Sequence, residues 1–237
     1  MNNKIYIHQI LIADVNRINE HLPNATKSIP KHFDPKRYEY ALWTNDDIRN
    51  LLEENFAPEV LWAYDKLKPY AYKADLARYA ILYLMGGWYI DINLEIVGLP
   101  PKEDEHDLIL FRDYNNGTRM APWQLANGLI YAKPDHPVFN IALNKIIEHV
   151  GEKYYGKRTL SVTGPELFGW AVAHYGWDKG KSDYLVGDFV DNDKLNRKMF
   201  ITNKGILALH KVLNGGVVGV KGTNDYVKMW HNKDIYN

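Results

Sequence analysis

The chain has 237 residues, of which 46% are hydrophobic and 13% aromatic, and its 29 basic side chains balance 29 acidic ones. A chain of this length buries roughly 70–75% of its unfolded surface, so we predict a single globular domain over residues 1–237. Zero net charge and abundant aromatic residues exclude intrinsic disorder. A balanced charge provides no general field for a polyanion, so we do not expect a nucleic acid partner.

The sequence contains no cysteine, which excludes disulfides, a thiol nucleophile and zinc–thiolate sites. The most continuous apolar run, residues 80–90, is interrupted by Gly86-Gly87 and is shorter than the ~20 residues that span a bilayer. No charged segment followed by an apolar one occurs at Met1. We therefore expect a cytoplasmic protein with no transmembrane segment, either free or peripheral at the inner face of the membrane.

Predicted strands and helices alternate along the chain, which favours a layered α/β sheet over a bundle or a sandwich. The strands are β-branched and aromatic runs at residues 5–12, 38–43, 88–97, 108–111 and 129–131. The helices are marked by caps, prolines or apolar spacing at residues 45–55, 58–67, 69–85 and 137–150. After Phe200, turn signals at residues 203–205 and 214–216 predict short C-terminal β-hairpins.

Two charged residues share one face of the helix predicted at residues 69–85, most of whose other residues are apolar. Asp75 and Arg78 are three positions apart, so they project from the same face of a largely buried element. Buried charges require partners. Spacing alone allows either an internal ion pair that fixes the helix to a neighbour or a ligand that completes the pair.

The strand predicted at residues 88–97 has one apolar face and one face that carries Tyr89, Asp91, Asn93 and Glu95. Oxygen ligands two positions apart on one face suit a hard divalent cation. Such a cation would neutralise a diphosphate leaving group. A half-solvated edge strand whose polar residues face water is also consistent with this alternation.

Residues 74–93 resemble the DXD-containing sugar transferases of glycosyltransferase family 32, which includes yeast α-mannosyltransferases and bacterial capsule and lipopolysaccharide enzymes. The family pattern A-D-x-x-R-Y-x-x-L-Y-x-x-G-G-x-Y-x-D-x-D is matched from Ala74 through Asp91, and Asn93 replaces the last acid. Shorter segments resemble the family in the same order, at residues 7–10, 40–43, 133–137 and 163–165. Leu11 stands where the family usually has tryptophan.

This resemblance implies a Rossmann-like GT-A fold, a UDP- or GDP-sugar donor and a divalent metal, usually manganese with magnesium as the alternative. It also implies that the sugar is transferred with retention at the anomeric carbon. Asp75 and Arg78 would hold the hydroxyls and phosphate of the donor. Tyr89 would pack against the donor, and Asp91 would reach its ribose or the metal.

The resemblance further implies that His8, Ile10 and Leu11 line the nucleotide base and that Asn93 occupies a metal-ligand position. An amide oxygen brings no charge, so we expect weaker metal binding than a carboxylate gives. Modest metal affinity, recruitment of Glu95 and loss of activity all remain open. His231 is a candidate metal or phosphate ligand, or a residue of a frayed tail.

The function that follows is transfer of a hexose to a glycan or lipid-linked oligosaccharide in surface polysaccharide synthesis, by front-face attack. We expect the acceptor to contact residues 112–124 and a helix that carries Glu166, Phe168, Trp170 and His174. The alternative is a nucleotide-sugar or glycan-binding pseudoenzyme that lost metal-dependent transfer through Asn93. A toxin-like transferase that modifies a host protein is a third interpretation.

Overall fold

The computed structural model describes residues 4–14, 24–113, 123–179, 183–212 and 224–237, and within them nine strands form one mixed sheet. The strands are β1 Ile5–Ile10, β2 Tyr38–Trp43, β3 Gly87–Ile90, β4 Glu95–Ile96, β5 Leu108–Asp113, β6 Leu129–Ala132, β7 Tyr184–Asn192, β8 Arg197–Thr202 and β9 Gly205–Val212. The helices are α1 Ile29–His32, α2 Asn45–Asn55, α3 Pro58–Lys66, α4 Tyr70–Met85, α5 Pro137–Gly151, α6 Pro165–Lys179 and α7 Tyr226–His231.

The strand order brings the first and third strands side by side. It runs β2-β1-β3-β6-β5-β7-β8-β9-β4. Strands β2, β1 and β3 are mutually parallel, with His8 of β1 opposite Tyr89 of β3. The carboxyl ends of these three strands therefore meet at one edge of the sheet, which is where open α/β sheets bind ligands.

The sheet curls strongly, as the short connection from β3 to β4 requires. Four residues, 91–94, join the two strands, and such a connection spans at most ~18 Å when extended. Six strand spacings separate β3 from β4 in the sheet order, and they would cover ~29 Å in a flat sheet. The curl thus brings β4, at one end of the sheet order, close to β3 across the turn at residues 91–94.

Two buried clusters cover the two faces of the sheet, and helix α4 lies in the larger one. Residues 75–82 of α4 are all buried, which explains why the sequence of this helix is apolar on nearly all sides. Tyr79 stacks on Phe168 of α6 with ring centroids 5.2 Å apart. Helix α4 is therefore held in the core by α5, α6 and the sheet.

The double glycine after α4 serves both a turn and a close contact. Gly86 and Gly87 have φ values of +62° and +91°, which glycine adopts at little cost. A Cβ on Gly87 would lie 2.4 Å from the carbonyl oxygen of Tyr6 in β1. Only glycine therefore lets β3 start directly after α4 and pair with β1.

Most predicted elements are confirmed, but the strand predicted at residues 88–97 is wrong. The strand ends at Ile90, and the amide of Leu94 donates to the carbonyl of Asp91 at 2.9 Å, which closes a turn. Pairing resumes only at Glu95, with a different partner strand, β9. Asp and Asn favour turns, and Asp91 and Asn93 flank this one. Residues 88–97 therefore do not form one continuous strand with an apolar face and a polar face.

The C-terminal part is only partly as predicted. Strands β8 and β9 form the hairpin expected from the turn signal at residues 203–205, whereas residues 214–216 lie outside the described residues. The described tail forms a short helix, α7, where the sequence analysis named no element. Asp225 caps α7 by accepting from the amides of Val227 and Lys228, each at 3.1 Å. Aspartate is a preferred N-cap residue, so Asp225 is a local helix signal that the sequence analysis did not use.

Candidate functional site

Asp75 lies on the buried side of α4, where three groups donate to its carboxylate. Asn127 donates to Oδ1 at 2.9 Å, Arg78 contacts the same oxygen at 3.1 Å, and Thr163 donates to Oδ2 at 2.7 Å. Burial raises the pKa of the Asp75 carboxyl above its usual range, while Arg78 and the two hydrogen bonds oppose that rise. The three donors favour the ionised carboxylate, as a buried charge requires.

Arg78 is also buried, and its guanidinium joins the two carboxylates of the site. One terminal nitrogen donates to the carbonyl of Asn127 at 2.6 Å and lies 3.4 Å from Asp91 Oδ1. The guanidinium carbon Cζ of Arg78 lies 4.4 Å from the centroid of the Tyr89 ring, which is a cation–π contact. Arg78 therefore supplies the charge that allows Asp75 and Asp91 to lie close to each other.

Asp91 begins the turn after β3, and the protein holds one oxygen of its carboxylate. The Tyr89 hydroxyl donates to Oδ1 at 2.7 Å, on the side where Arg78 lies. Burial raises the pKa of Tyr89 well above its usual value, so this hydroxyl keeps its proton and stays a donor. Among the described residues, no group donates to Oδ2, and the side chain is 36% exposed. The second oxygen is therefore available to a ligand.

The backbone around Asp91 is fixed from two sides. Its amide donates to the carbonyl of Gly128 at 2.7 Å, and its carbonyl accepts from Gln9 at 3.3 Å. A Cβ on Gly128 would lie 2.7 Å from Asp91 Oδ2, so a side chain there would displace the carboxylate. Gly128 and Gln9 are thus supporting residues that the sequence analysis did not identify.

The predicted metal ligands are not all brought together. Asn93 lies partly exposed in the same turn as Asp91, whereas Glu95 pairs with Arg197 of β8 at 2.5 Å. Recruitment of Glu95 as a ligand would cost that ion pair. His231 is exposed at the end of α7 with its ring against Trp230, and no described contact links it to Asp91. Its role as a ligand stays a prediction.

The donor chemistry at this turn fits a divalent cation shared with a substrate. Within the described ranges, no three His, Cys, Asp or Glu side chains form a metal-binding group. Mg²⁺ is usually held by one or two carboxylates together with substrate phosphates and water, and so does not require a full protein cage. Asp91 Oδ2 and the amide oxygen of Asn93 match such a partial donor set, with the phosphates as the missing ligands.

The residues predicted to line the base are buried in the core. Trp43 donates to Nδ1 of His8 at 3.1 Å, and Nε2 of His8 bonds to the Gly86 carbonyl at 2.9 Å. Burial lowers the pKa of His8 to about 4, so the ring is neutral at pH 7. Ile10 and Leu11 are 5% and 3% exposed. His8 therefore supports the double-glycine turn, and base binding by these three residues stays a prediction.

The predicted acceptor region is described only at its two ends. Residues 114–122 lie outside the described residues. Arg112 forms a bidentate ion pair with Asp188 of β7, at 2.7 and 3.1 Å. Trp123 is 47% exposed and lines a cavity together with Glu166 and Trp170 of α6. The two segments predicted to contact the acceptor thus lie beside each other.

The fold resembles that of a known class of enzymes. The protein has a mixed α/β fold with a curled central sheet, and its structural neighbours are GT-A glycosyltransferases. The solved structure of the PaToxG glycosyltransferase matches with a TM-score of 0.53 and 19% identity, covering 75% of this chain and 72% of that one. At this identity the likeness shows the fold alone.

Sequence comparison shows which known proteins part of the chain resembles. Residues 19–103 match the glycosyltransferase sugar-binding region containing a DXD motif. An uncharacterized glycosyltransferase, L373, of Acanthamoeba polyphaga mimivirus is 33% identical over 153 residues, which are 62% of this chain and 56% of that protein. The mannosyl phosphorylinositol ceramide synthase SUR1 of Saccharomyces cerevisiae is 30% identical over 156 residues, 61% and 37% of the two chains.

Over residues 19–103 the chain is therefore similar to the DXD-containing glycosyltransferases. The matched region contains Asp75, Arg78, Asp91 and Asn93. The chain spans about half or less of the length of these curated relatives. In the described part of the chain, no helix is long and apolar enough to cross a membrane.

Proposed function

We propose that the chain transfers a hexose, with retention and with the help of a divalent metal, from a UDP- or GDP-sugar to a glycan or lipid-linked oligosaccharide. The observation that carries the proposal is the Asp91 carboxylate, which is held on one oxygen by Tyr89 and open on the other. Similarity to the DXD-containing glycosyltransferases and the mannosyl-transferring name of the yeast relative support a sugar donor.

Each residue of the cluster has a role in this proposal. Asp91 Oδ2 and Asn93 hold the metal, preferably manganese, which when bound neutralises charge on the departing diphosphate. Tyr89 and Arg78 fix the orientation of Asp91, and Arg78 adds positive charge beside the phosphates. The carboxylate of Asp75 accepts hydrogen bonds from the donor sugar, at the small part of its surface that remains exposed.

Front-face attack is the mechanism we propose for retention. A double displacement needs a free carboxylate below the anomeric carbon. Asp75 already accepts from Asn127 and Thr163, and the open oxygen of Asp91 is the one assigned to the metal, so neither carboxylate is left to act as the nucleophile. The acceptor hydroxyl would then pass its proton to the leaving phosphate oxygen. Synthesis of a surface polysaccharide such as capsule or lipopolysaccharide is the pathway we propose.

The test is release of free nucleoside diphosphate from UDP- and GDP-hexoses, with manganese, with magnesium and with a chelator. We expect one nucleotide series to be turned over in the presence of metal. Asp91→Asn removes the charge and keeps the shape of the side chain, so turnover should fall at least ~100-fold, in line with loss of one electrostatic group. Asp193→Asn, in the exposed turn between β7 and β8, is the matched control and should retain full turnover.

Two outcomes would contradict the proposal. Normal turnover by Asp91→Asn would show that turnover does not depend on the Asp91 carboxylate. Binding of a nucleotide without any turnover, whether or not metal is added, would favour the pseudoenzyme interpretation that Asn93 suggests. Location in the cytoplasm or at the inner membrane face stays a prediction, and cell fractionation with detection of the chain tests it.

A further inference from the structure

A hollow of about 290 Å³ lies between the end of α5 and the first half of α6. Three partly exposed aromatic side chains line it, namely Trp123 at 47%, Tyr154 at 38% and Trp170 at 36% exposure. This volume is near the lower end of the range of about 300–1,000 Å³ for ligand pockets. The hollow therefore has the size for one or two small rings, with aromatic faces in its walls.

Trp123 is fixed at the rim by a glycine of α6. A Cβ on Gly169 would lie 1.7 Å from the carbonyl oxygen of Trp123 and 3.2 Å from Cα of Gln124. Only glycine at this position lets the backbone of Trp123 lie directly on the helix. The indole shows no ring stacking or cation contact in the described part of the chain, so it presents free apolar surface.

The charges in the hollow disfavour an anionic ligand. Its lining contains one ammonium, from Lys145, and three carboxylates, from Glu148, Glu152 and Glu166, which leave a net charge of −2. Burial lowers the pKa of His149, and the ring bonds to the carbonyl of Val162 at 2.8 Å. The hollow therefore disfavours a diphosphate, which at the Asp91 site is expected together with a cation.

The hollow and the charged cluster share one short segment of chain. Ser161 and Glu166 line the hollow, and Thr163, between them, donates to Asp75 Oδ2 at 2.7 Å. Ser161 also donates to the carboxylate of Glu166, which fixes that side chain at the start of α6. A ligand in the hollow would thus lie next to the segment that holds Asp75.

We propose that this hollow binds a neutral pyranose ring of the acceptor glycan, an inference that rests on the proposed transferase function. Trp123 provides apolar surface for a ring face, and the carboxylates of Glu152 and Glu166 accept hydrogen bonds from the ring hydroxyls. Trp170 borders the hollow with the part of its ring that His174 and Lys145 leave exposed. A few converging polar groups beside an aromatic wall is the arrangement that orients a small uncharged ligand.

The test uses ligand-observed NMR with methyl hexosides of glucose, galactose and mannose, each free and as its dodecyl glycoside in detergent micelles. The two forms distinguish a soluble acceptor from a lipid-linked one. We expect a neutral hexoside to bind and its Kd to rise about tenfold in Trp123→Ala and in Trp170→Ala. Trp123→Phe keeps an aromatic face and should restore most of the binding.

Trp62→Ala is the matched control, because Trp62 is 41% exposed in a different hollow formed by α2, α3 and Asn237. Equal binding by Trp62→Ala and Trp123→Ala, or no hexoside binding to the wild-type chain, would overturn the inference. Tighter binding of glucuronate or of a basic peptide than of any hexoside would also overturn it. Nucleoside diphosphate release without acceptor is measured on the same preparations of the wild-type chain and the variants. Its absence from every chain would refute the transferase function separately.

Discussion

His8 allows a prediction whose size follows directly from its burial. The ring is buried and neutral, and its pKa is lowered from the usual 6.5 to about 4. In the unfolded chain His8 takes up a proton as the pH falls below 6.5, whereas in the folded chain it does not until about pH 4. Its contribution to stability is therefore present above pH 6.5 and is lost as the pH falls towards 4.

The loss is large enough to measure. The full difference between the two pKa values corresponds to about 3 kcal/mol, of which about 2 kcal/mol is lost by pH 5. Urea unfolding of the wild-type chain and of His8→Gln at pH 7.5 and pH 5.0 isolates this term, because other titrating groups cancel in the comparison. We expect the variant to lose about 2 kcal/mol less than the wild type between the two pH values.

The control for this comparison is His231→Gln, which removes an exposed imidazole at the end of α7. Its stability should depend on pH as that of the wild type does. If His8→Gln and the wild type lose the same free energy on going to pH 5.0, His8 is not a buried neutral group. The proposed support of the Gly86 carbonyl by a neutral ring would then be refuted as well.

Two further substitutions test the supports of the cluster. Gly128→Ala should lower nucleoside diphosphate release at least ~10-fold by displacing Asp91 Oδ2, whereas Gly176→Ala, where a Cβ meets nothing within 4 Å, should leave it unchanged. Thr163→Val removes a donor from the buried carboxylate of Asp75 and should cost about 1.5–3 kcal/mol in urea unfolding. Thr163→Ser should be close to wild type, and equal stability of the Val and Ser variants would contradict this role.

The sequence predicted the elements well where the signal is local. Helix α2 begins at a capping box, in which the Thr44 hydroxyl and the Asp47 carboxylate bond to each other's backbone amides. Helix α4 ends at the double glycine, as predicted. Strand β4 has no such local definition, because it pairs with β9 more than a hundred residues later in the chain. Alternation of residue types around Asp91 therefore predicted a long strand where the chain turns.

The same distinction explains how much of the site could be predicted. Asp75, Arg78, Tyr89 and Asp91 lie within 17 consecutive positions, on a helix, the strand that follows it and the turn after that strand, and the family resemblance of this segment predicted that they act together. Their partners Asn127 and Thr163 come from loops 52 and 88 positions away from Asp75. No periodicity connects such distant residues, and only the fold shows that they satisfy the buried carboxylate.

The charge of the completed cluster bears on the role of Asn93. Asp75 and Asp91 bring two negative charges and Arg78 one positive charge, so the cluster is already net negative before an anionic diphosphate arrives. A bound cation would reduce the repulsion between the cluster and the diphosphate. An acid at position 93 would attract the cation more strongly, but it would increase this repulsion when no cation is bound. Asparagine there weakens both effects. We therefore expect turnover that still needs metal but saturates at a higher metal concentration than in the Asn93→Asp variant, and equal metal dependence in the two would refute this argument.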